Sequence, residues 1–344
     1  MAEERTVFQP LDPSIRPKLD PEYVKLHDDV LQYCPRSETV PWTPESRSKQ
    51  GPMAGGGMKD VEVGEVFDKD VENYQVRVFV PEGKPPVDGW PCLVYFHGGG
   101  WVIGGLNSEN GFLRHICKYL GCVVVSINYR HAPEHVYPTA IDDSYAGFRW
   151  VVSPETATAL SINSSRVAVG GLSAGGGLAA IVAMKAAQDP TVPAPLVFQM
   201  LICPVIDNSA TAETVWSTSR HSPWLTPTRM TWYRQKYFTN SSDVRNWDAS
   251  PNFAPPEVMA KSPTTFVAVA ECDLLAPEAL KYGESLKAVG VDTEVKIYKG
   301  ATHSVLILAG IHQVGKRLVH DACTSLGKVL GISYSPEEAP VLGK

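Results

Sequence analysis

Six short, mostly apolar runs recur along the chain: CLVYF (92–96), CVVVSIN (122–128), RVAVG (166–170), VFQMLIC (197–203), TTFVAVA (264–270) and EVKIY (294–298). Each has the length of a strand, and runs of this kind suit strands buried on both faces of a parallel sheet. Helix-length stretches lie between or after them, at 111–120, 139–152, 174–188, 277–289 and 311–330. Upstream, VEVGEVF (61–67) and YQVRVFV (74–80) alternate apolar and polar residues, as half-buried strands do. Antiparallel strands followed by repeated β-α units predict an α/β fold, with a mostly parallel central sheet and helices on both faces.

Two segments break the rhythm. Residues 1–55 are rich in proline and charge, hold one amphipathic stretch near PEYVKLHDDVLQY (21–33), and end in the flexible GPMAGGGM. Residues 208–255 separate two strands and contain Trp216, Trp224, Trp232 and Trp247, four of the chain's eight tryptophans. An insertion that long inside a compact domain is usually functional. The expected organisation is a main domain of 56–207 and 256–344, a small helical cap built from 208–255, and a cap contribution from 1–55.

Composition narrows the function classes. Thirty-one basic and thirty-seven acidic residues give a net charge of -6, with no basic block, which argues against a nucleic-acid partner. The apolar runs are far shorter than the roughly 20 residues that span a bilayer, and MAEERTVFQP lacks the apolar core of a secretory signal. Seven cysteines stand singly without a CxxC pair, a pattern of reduced thiols that predicts a cytoplasmic protein without a disulfide framework or zinc site. The sequons at Asn163 and Asn240 carry no weight without a secretory signal.

Two glycine clusters bear on chemistry. YFHGGGW (95–101) bares backbone amides directly after an apolar run. A phosphate loop would need a lysine followed by Ser or Thr, or G-x-G-x-x-G with a later acid; here Trp101 and Val102 follow, and the phosphate reading fails. The second cluster, RVAVGGLSAGGGLAA (166–180), places Gly171-Leu172-Ser173-Ala174-Gly175 between a strand and a helical stretch, the context of a nucleophile elbow. A serine hydroxyl needs a base, and the base an orienting acid. Asp273 follows TTFVAVA and His303 follows EVKIY, both in the expected chain order and just past strand ends, where sites of open α/β sheets lie. Acyl transfer on Ser173 creates an oxyanion that needs amides already in place. Ala174 offers one, and the glycine turn offers the others.

HGGGW, GLSAGG, YRHAPEHVYPTAIDD (129–143), AECDLLAPE and GATHS, in this order, resemble the hormone-sensitive-lipase-like branch of the α/β-hydrolase fold over roughly residues 60–330. That branch includes carboxylesterases and arylacetamide deacetylases. The resemblance implies an α/β-hydrolase fold in which Ser173 is the nucleophile, His303 the base and Asp273 its carboxylate, with oxyanion donors from Gly99, Gly100 and Ala174. It also implies a structural role for His97 and bracing roles for Glu134 and Asp142. Leu172 stands where the family usually has Asp, and Leu274 where it often has Pro; neither removes a group the mechanism needs.

The resulting expectation is a cofactor-independent carboxylic ester hydrolase acting on short to medium acyl or small metabolite esters. Its pocket would draw on Trp101, Trp224 and Trp232. The partner is a small-molecule ester, and assembly into a homo-oligomer is left open. Two alternatives stand beside it. One is an amide-acting deacetylase or formamidase with the same triad. The other is a non-catalytic ligand-binding protein, as in the plant gibberellin receptors, which resemble the family but lack the histidine that His303 supplies here. An interfacial lipase would need an exposed apolar lid, which the charged N-terminus and polar-aromatic insertion disfavour.

Overall fold

A computed structural model describes residues 5–47, 49 and 51–344; residues 1–4, 48 and 50 of the N-terminal segment lie outside the described residues. The strands are β1 (Glu65–Val71), β2 (Tyr74–Val80), β3 (Trp90–Phe96), β4 (Val123–Asn128), β5 (Ile162–Leu172), β6 (Phe198–Ile202), β7 (Thr264–Ala270) and β8 (Thr293–Tyr298). They form one sheet in the order β1-β2-β4-β3-β5-β6-β7-β8. β2 pairs antiparallel with β1 and β4, and the remaining pairs are parallel. The helices are α1 (Pro21–Asp29), α2 (Asn110–Leu120), α3 (Thr139–Val152), α4 (Pro154–Ala159), α5 (Ala174–Ala186), α6 (Pro227–Tyr237), α7 (Pro256–Met259), α8 (Ala276–Ala288) and α9 (Gln313–Leu330).

The apolar runs read as they do because both faces are covered. Along β3, Cys92, Val94 and Phe96 enter one core with residues of α3, α5 and α8, whereas Leu93 and Tyr95 enter another with α2 and α9. Alternate side chains point to opposite faces, so a strand covered on both needs apolar residues throughout. α5 is buried almost all round, which explains its lack of a polar face.

Two local features differ from the sequence expectation. β1 begins at Glu65 rather than residue 61, because a two-residue turn at Glu72 and Asn73 pairs Val71 with Tyr74 and sets the register. Glu72 takes a left-handed φ of 51° there, and in a hairpin the turn, not apolar alternation, fixes the register. The helix α4 was not expected. Its start is nonetheless a capping sequence, with Ser153 accepting from Thr156 N–H and Pro154 in the first turn.

The two segments that break the β-α rhythm meet each other. α1, capped by Asp20, packs Tyr23 into a cluster with Leu19, Leu31, Met53, Cys272 and Leu308. α6, capped by Thr226, presents Arg229 to Glu38 at 2.8 Å, and both side chains are only 3% exposed. Trp232 meets Trp42 edge-on at 6.0 Å. Among the described residues, no helix is long and apolar enough to cross a membrane.

Candidate active site

Ser173 sits between β5 and α5 with φ 58° and ψ -118°, a conformation that side chains rarely adopt. Its N–H donates to Ile202 and its carbonyl accepts from Val205, at 2.9 and 3.0 Å, so the turn is clamped to the chain leaving β6. The glycines two residues either side are steric requirements. A β-carbon on Gly171 would stand 2.2 Å from the Gly175 carbonyl oxygen, and one on Gly175 would stand 1.9 Å from that of Phe96. Leu172 is 2% exposed and packs beside Gly98, so the departure at that position fills the space beneath the glycine turn.

The fold brings Asp273 and His303 to this serine. His303 Nδ1–H donates to Asp273 Oδ2 at 2.8 Å, and Nε2 lies 2.9 Å from Ser173 Oγ. A carboxylate only accepts, so Nδ1 carries the proton and Nε2 is left to accept from the serine hydroxyl. Asp273 follows β7 and is 1% exposed; Leu275 N–H donates to its other oxygen at 3.3 Å. The acid and histidine loops are tied together where Cys272 N–H donates to Ala301 at 2.8 Å. The backbone of Leu274, at the second family departure, is held by Ser219 Oγ at 2.8 Å.

Cys203 adds a thiol that sequence spacing does not reveal. Its sulfur, a carboxylate oxygen of Asp273 and a ring nitrogen of His303 lie within 4.8 Å of one another, the one group of His, Cys and acid ligand atoms so placed among the described residues. The histidine and aspartate atoms already share a hydrogen bond, and burial pushes the thiol well above its ordinary pKa.

The glycine turn lies at the end of β3. Gly99 and Gly100 have φ of 124° and 60°. Among the described residues, the amides of Gly99, Gly100 and Ala174 donate to no backbone carbonyl. His97 stands directly before the glycine turn. It is fully buried, stacks on Tyr129 at 4.4 Å, and its Nδ1 lies 2.7 Å from the Gly98 carbonyl. Burial lowers its pKa to about 4, so the ring is neutral and its Nε2 faces His131 Nε2 at 3.3 Å. Behind the turn, burial pushes the carboxyl of Glu109 up to about 7, while the Gly98 amide opposes the shift.

The remaining expected residues fall in different places. Glu134 pairs with Arg47 at 2.6 Å, and Arg47 also donates to the carbonyls of Val102 and Ala132, tying the N-terminal segment to the glycine turn. Asp142 is exposed, and the brace is made one residue on: Asp143 accepts from Arg130 N–H, Nε and Nη2 at 2.8–2.9 Å. Trp101 is 3% exposed and stacks on Tyr237 at 4.5 Å. Trp224 lies beneath the Arg229 guanidinium at 4.6 Å, and Trp232 packs on Tyr233 and Lys236.

Sequence reasoning missed Glu278, although it lies inside the quoted AECDLLAPE. Its Oε1 accepts from Ile206 and Asp207 N–H at 2.8 and 3.2 Å, and its Oε2 from Trp216 Nε1 at 2.7 Å. Its place on the first turn of the helix that follows Asp273 is an ordinary one for an acid and does not mark its distant partners.

Chemically, the arrangement offers a hydroxyl beside a neutral imidazole nitrogen, a buried carboxylate behind that ring, and a glycine turn whose amides donate to no backbone carbonyl among the described residues.

Residues 93–307 match a family model described as alpha/beta hydrolase fold. The chain is 37% identical over 328 residues to an AB hydrolase superfamily protein of Schizosaccharomyces pombe, covering 92% of this chain and 96% of that one. It is 33% identical over 261 residues to esterase LipI of Mycobacterium tuberculosis, covering 74% and 78%. Among solved structures, a thermostable esterase from Pseudomonas putida superposes with a TM-score of 0.80 at 28% identity, covering 92% of this chain and 99% of that one.

Proposed function

This chain belongs to the α/β-hydrolase-fold family, and we propose that it cleaves short to medium acyl or small metabolite esters through an acyl-enzyme on Ser173. It is a carboxylic ester hydrolase, in keeping with the esterases it resembles. The observation that carries the mechanism is the single imidazole of His303 bridging Ser173 Oγ and Asp273.

In the proposed reaction, His303 Nε2 takes the hydroxyl proton as Ser173 Oγ attacks the acyl carbon. Asp273 holds the ring and stabilises the imidazolium that forms. The carbonyl oxygen becomes an oxyanion that the amides of Gly99, Gly100 and Ala174 receive. His303 then returns its proton to the leaving alkoxide, and water repeats the sequence to release the acid. The segments 1–55 and 208–255 form a cap over the strand ends, supported by the buried Arg229–Glu38 pair. In this reading Trp101, Trp224 and Trp232 shape the substrate cleft. The seven free cysteines fit a cytoplasmic setting.

The test is turnover of a matched ester and anilide pair by the wild type, Ser173→Ala and His303→Ala. Ester cleavage by the wild type alone supports the reading. Retained activity in Ser173→Ala would contradict the mechanism, and preference for the anilide would contradict the substrate class.

A further inference from the structure

The turn that carries Asp273 is held on one side by the end of β7 and the His303 loop, where the N–H groups of Asp273 and Cys272 donate to Ala270 and Ala301 at 3.2 and 2.8 Å, and on its far side by the 208–255 insertion. Ser219 Oγ–H donates at 2.8 Å to the carbonyl of Leu274, the residue directly after Asp273. Trp216 Nε1–H donates at 2.7 Å to Glu278 on the first turn of α8. The other oxygen of Glu278 accepts the amides of Ile206 and Asp207, on the chain that has just passed Cys203 and clamps the Ser173 elbow. Arg234 of α6 closes the network. Its guanidinium lies 4.3 Å from the Trp216 ring and donates to the carbonyls of Ala210 and Asp207 at 2.6 and 2.7 Å. Trp216, Ser219 and Glu278 are 1%, 7% and 2% exposed, so water does not compete for these bonds.

We infer that Trp216 and Ser219 are positioning residues for Asp273, fixing the 273–278 turn and thereby the direction from which its carboxylate meets His303. This rests on the reading of Ser173, His303 and Asp273 as the reacting group. The carboxylate depends on the turn because its own local support is thin. Beyond His303 and the neighbouring Cys203 thiol, its backbone donor is Leu275 at 3.3 Å, a long bond. A small displacement of that turn would rotate the imidazole away from Ser173, and reactions of this kind are sensitive to such shifts. The insertion therefore does more than cover the site, because it completes the setting of the acid.

A double-mutant cycle separates positioning from mere packing. kcat and KM for p-nitrophenyl acetate would be measured for Ser219→Ala and Trp216→Phe, each alone and combined with Asp273→Asn. Trp216→Phe retains an aromatic ring and removes the N–H, and it carries the same cycle if Ser219→Ala does not fold. Each single substitution should lower kcat about tenfold with KM within about twofold. With Asp273 already replaced, the further loss should be less than about twofold, because residues acting through one partner are not additive. Equal losses in both backgrounds, or unchanged kcat in the single variants, would overturn the inference. Fluorophosphonate labelling of the wild type keeps the two ideas apart: no adduct on Ser173 strikes the triad reading, whereas an adduct together with equal losses strikes this inference alone.

Discussion

The ring of Tyr233 lies across Gly100 so closely that a β-carbon on Gly100 would stand 2.4 Å from two of its atoms. One residue of α6 thus abuts the turn proposed to receive the oxyanion. Gly100 also has a φ of 60°, where an L side chain is strained. The turn can keep its amides in place only while position 100 has no side chain. Gly100→Ala should lower kcat/KM for an ester by about a hundredfold or more, with the protein still folded by circular dichroism. Full activity in that variant would remove Gly100 from the account.

The buried pair of Arg229 and Glu38 joins the N-terminal segment to α6, with Gln9 Oε1 accepting a further bond from Arg229 at 3.3 Å. Removing one partner strands a buried charge, which typically costs about 3–5 kcal/mol. Arg229→Met and Glu38→Gln should each shift urea unfolding by an amount of that order. The double variant should lose less than the two single losses combined. Additive losses, or single losses near zero, would show that the two segments are held by packing alone.

Much of this organisation is legible in the sequence, and the exceptions have physical causes. The six apolar runs correspond to β3 through β8 because two-sided burial leaves an unmistakable composition. The residues that meet at Ser173 lie at strand ends, which chain order alone locates. β1 was misplaced because an edge hairpin takes its register from the Glu72–Asn73 turn, and its exposed residues carry little apolar signal. Glu278, Ser219 and Cys203 were missed for a different reason. Their partners are 62, 55 and 70 residues away in the chain, and no local pattern marks a buried polar contact of that range. Asp142 and Asp143 show the resolution limit of motif matching: adjacent acids share a motif, and only the fold reveals that Asp143 turns inward to Arg130.

Acid stability should follow the buried histidines. Burial lowers the pKa of His97 and His115 to about 4 and that of His131 still further, and it also lowers His27, His312 and His320. Such groups take up protons on unfolding, so their contribution is present above the ordinary histidine pKa of 6.5 and is lost as pH falls towards 4. The buried carboxyls of Glu109 and Glu278, pushed up to about 7, act oppositely and release protons on unfolding between 4.5 and 7. The histidines outnumber them. The melting temperature should therefore rise with pH around about pH 5.5. A melting temperature that falls with pH there would mean that the carboxyls dominate.

The central claim is that Ser173 is an activated nucleophile. Intact-mass analysis after fluorophosphonate treatment, followed by peptide mapping, tests it without knowledge of the natural substrate. The account predicts one adduct, located on Ser173 and absent from His303→Ala. A folded wild-type protein that takes no adduct, or takes one elsewhere, would contradict it.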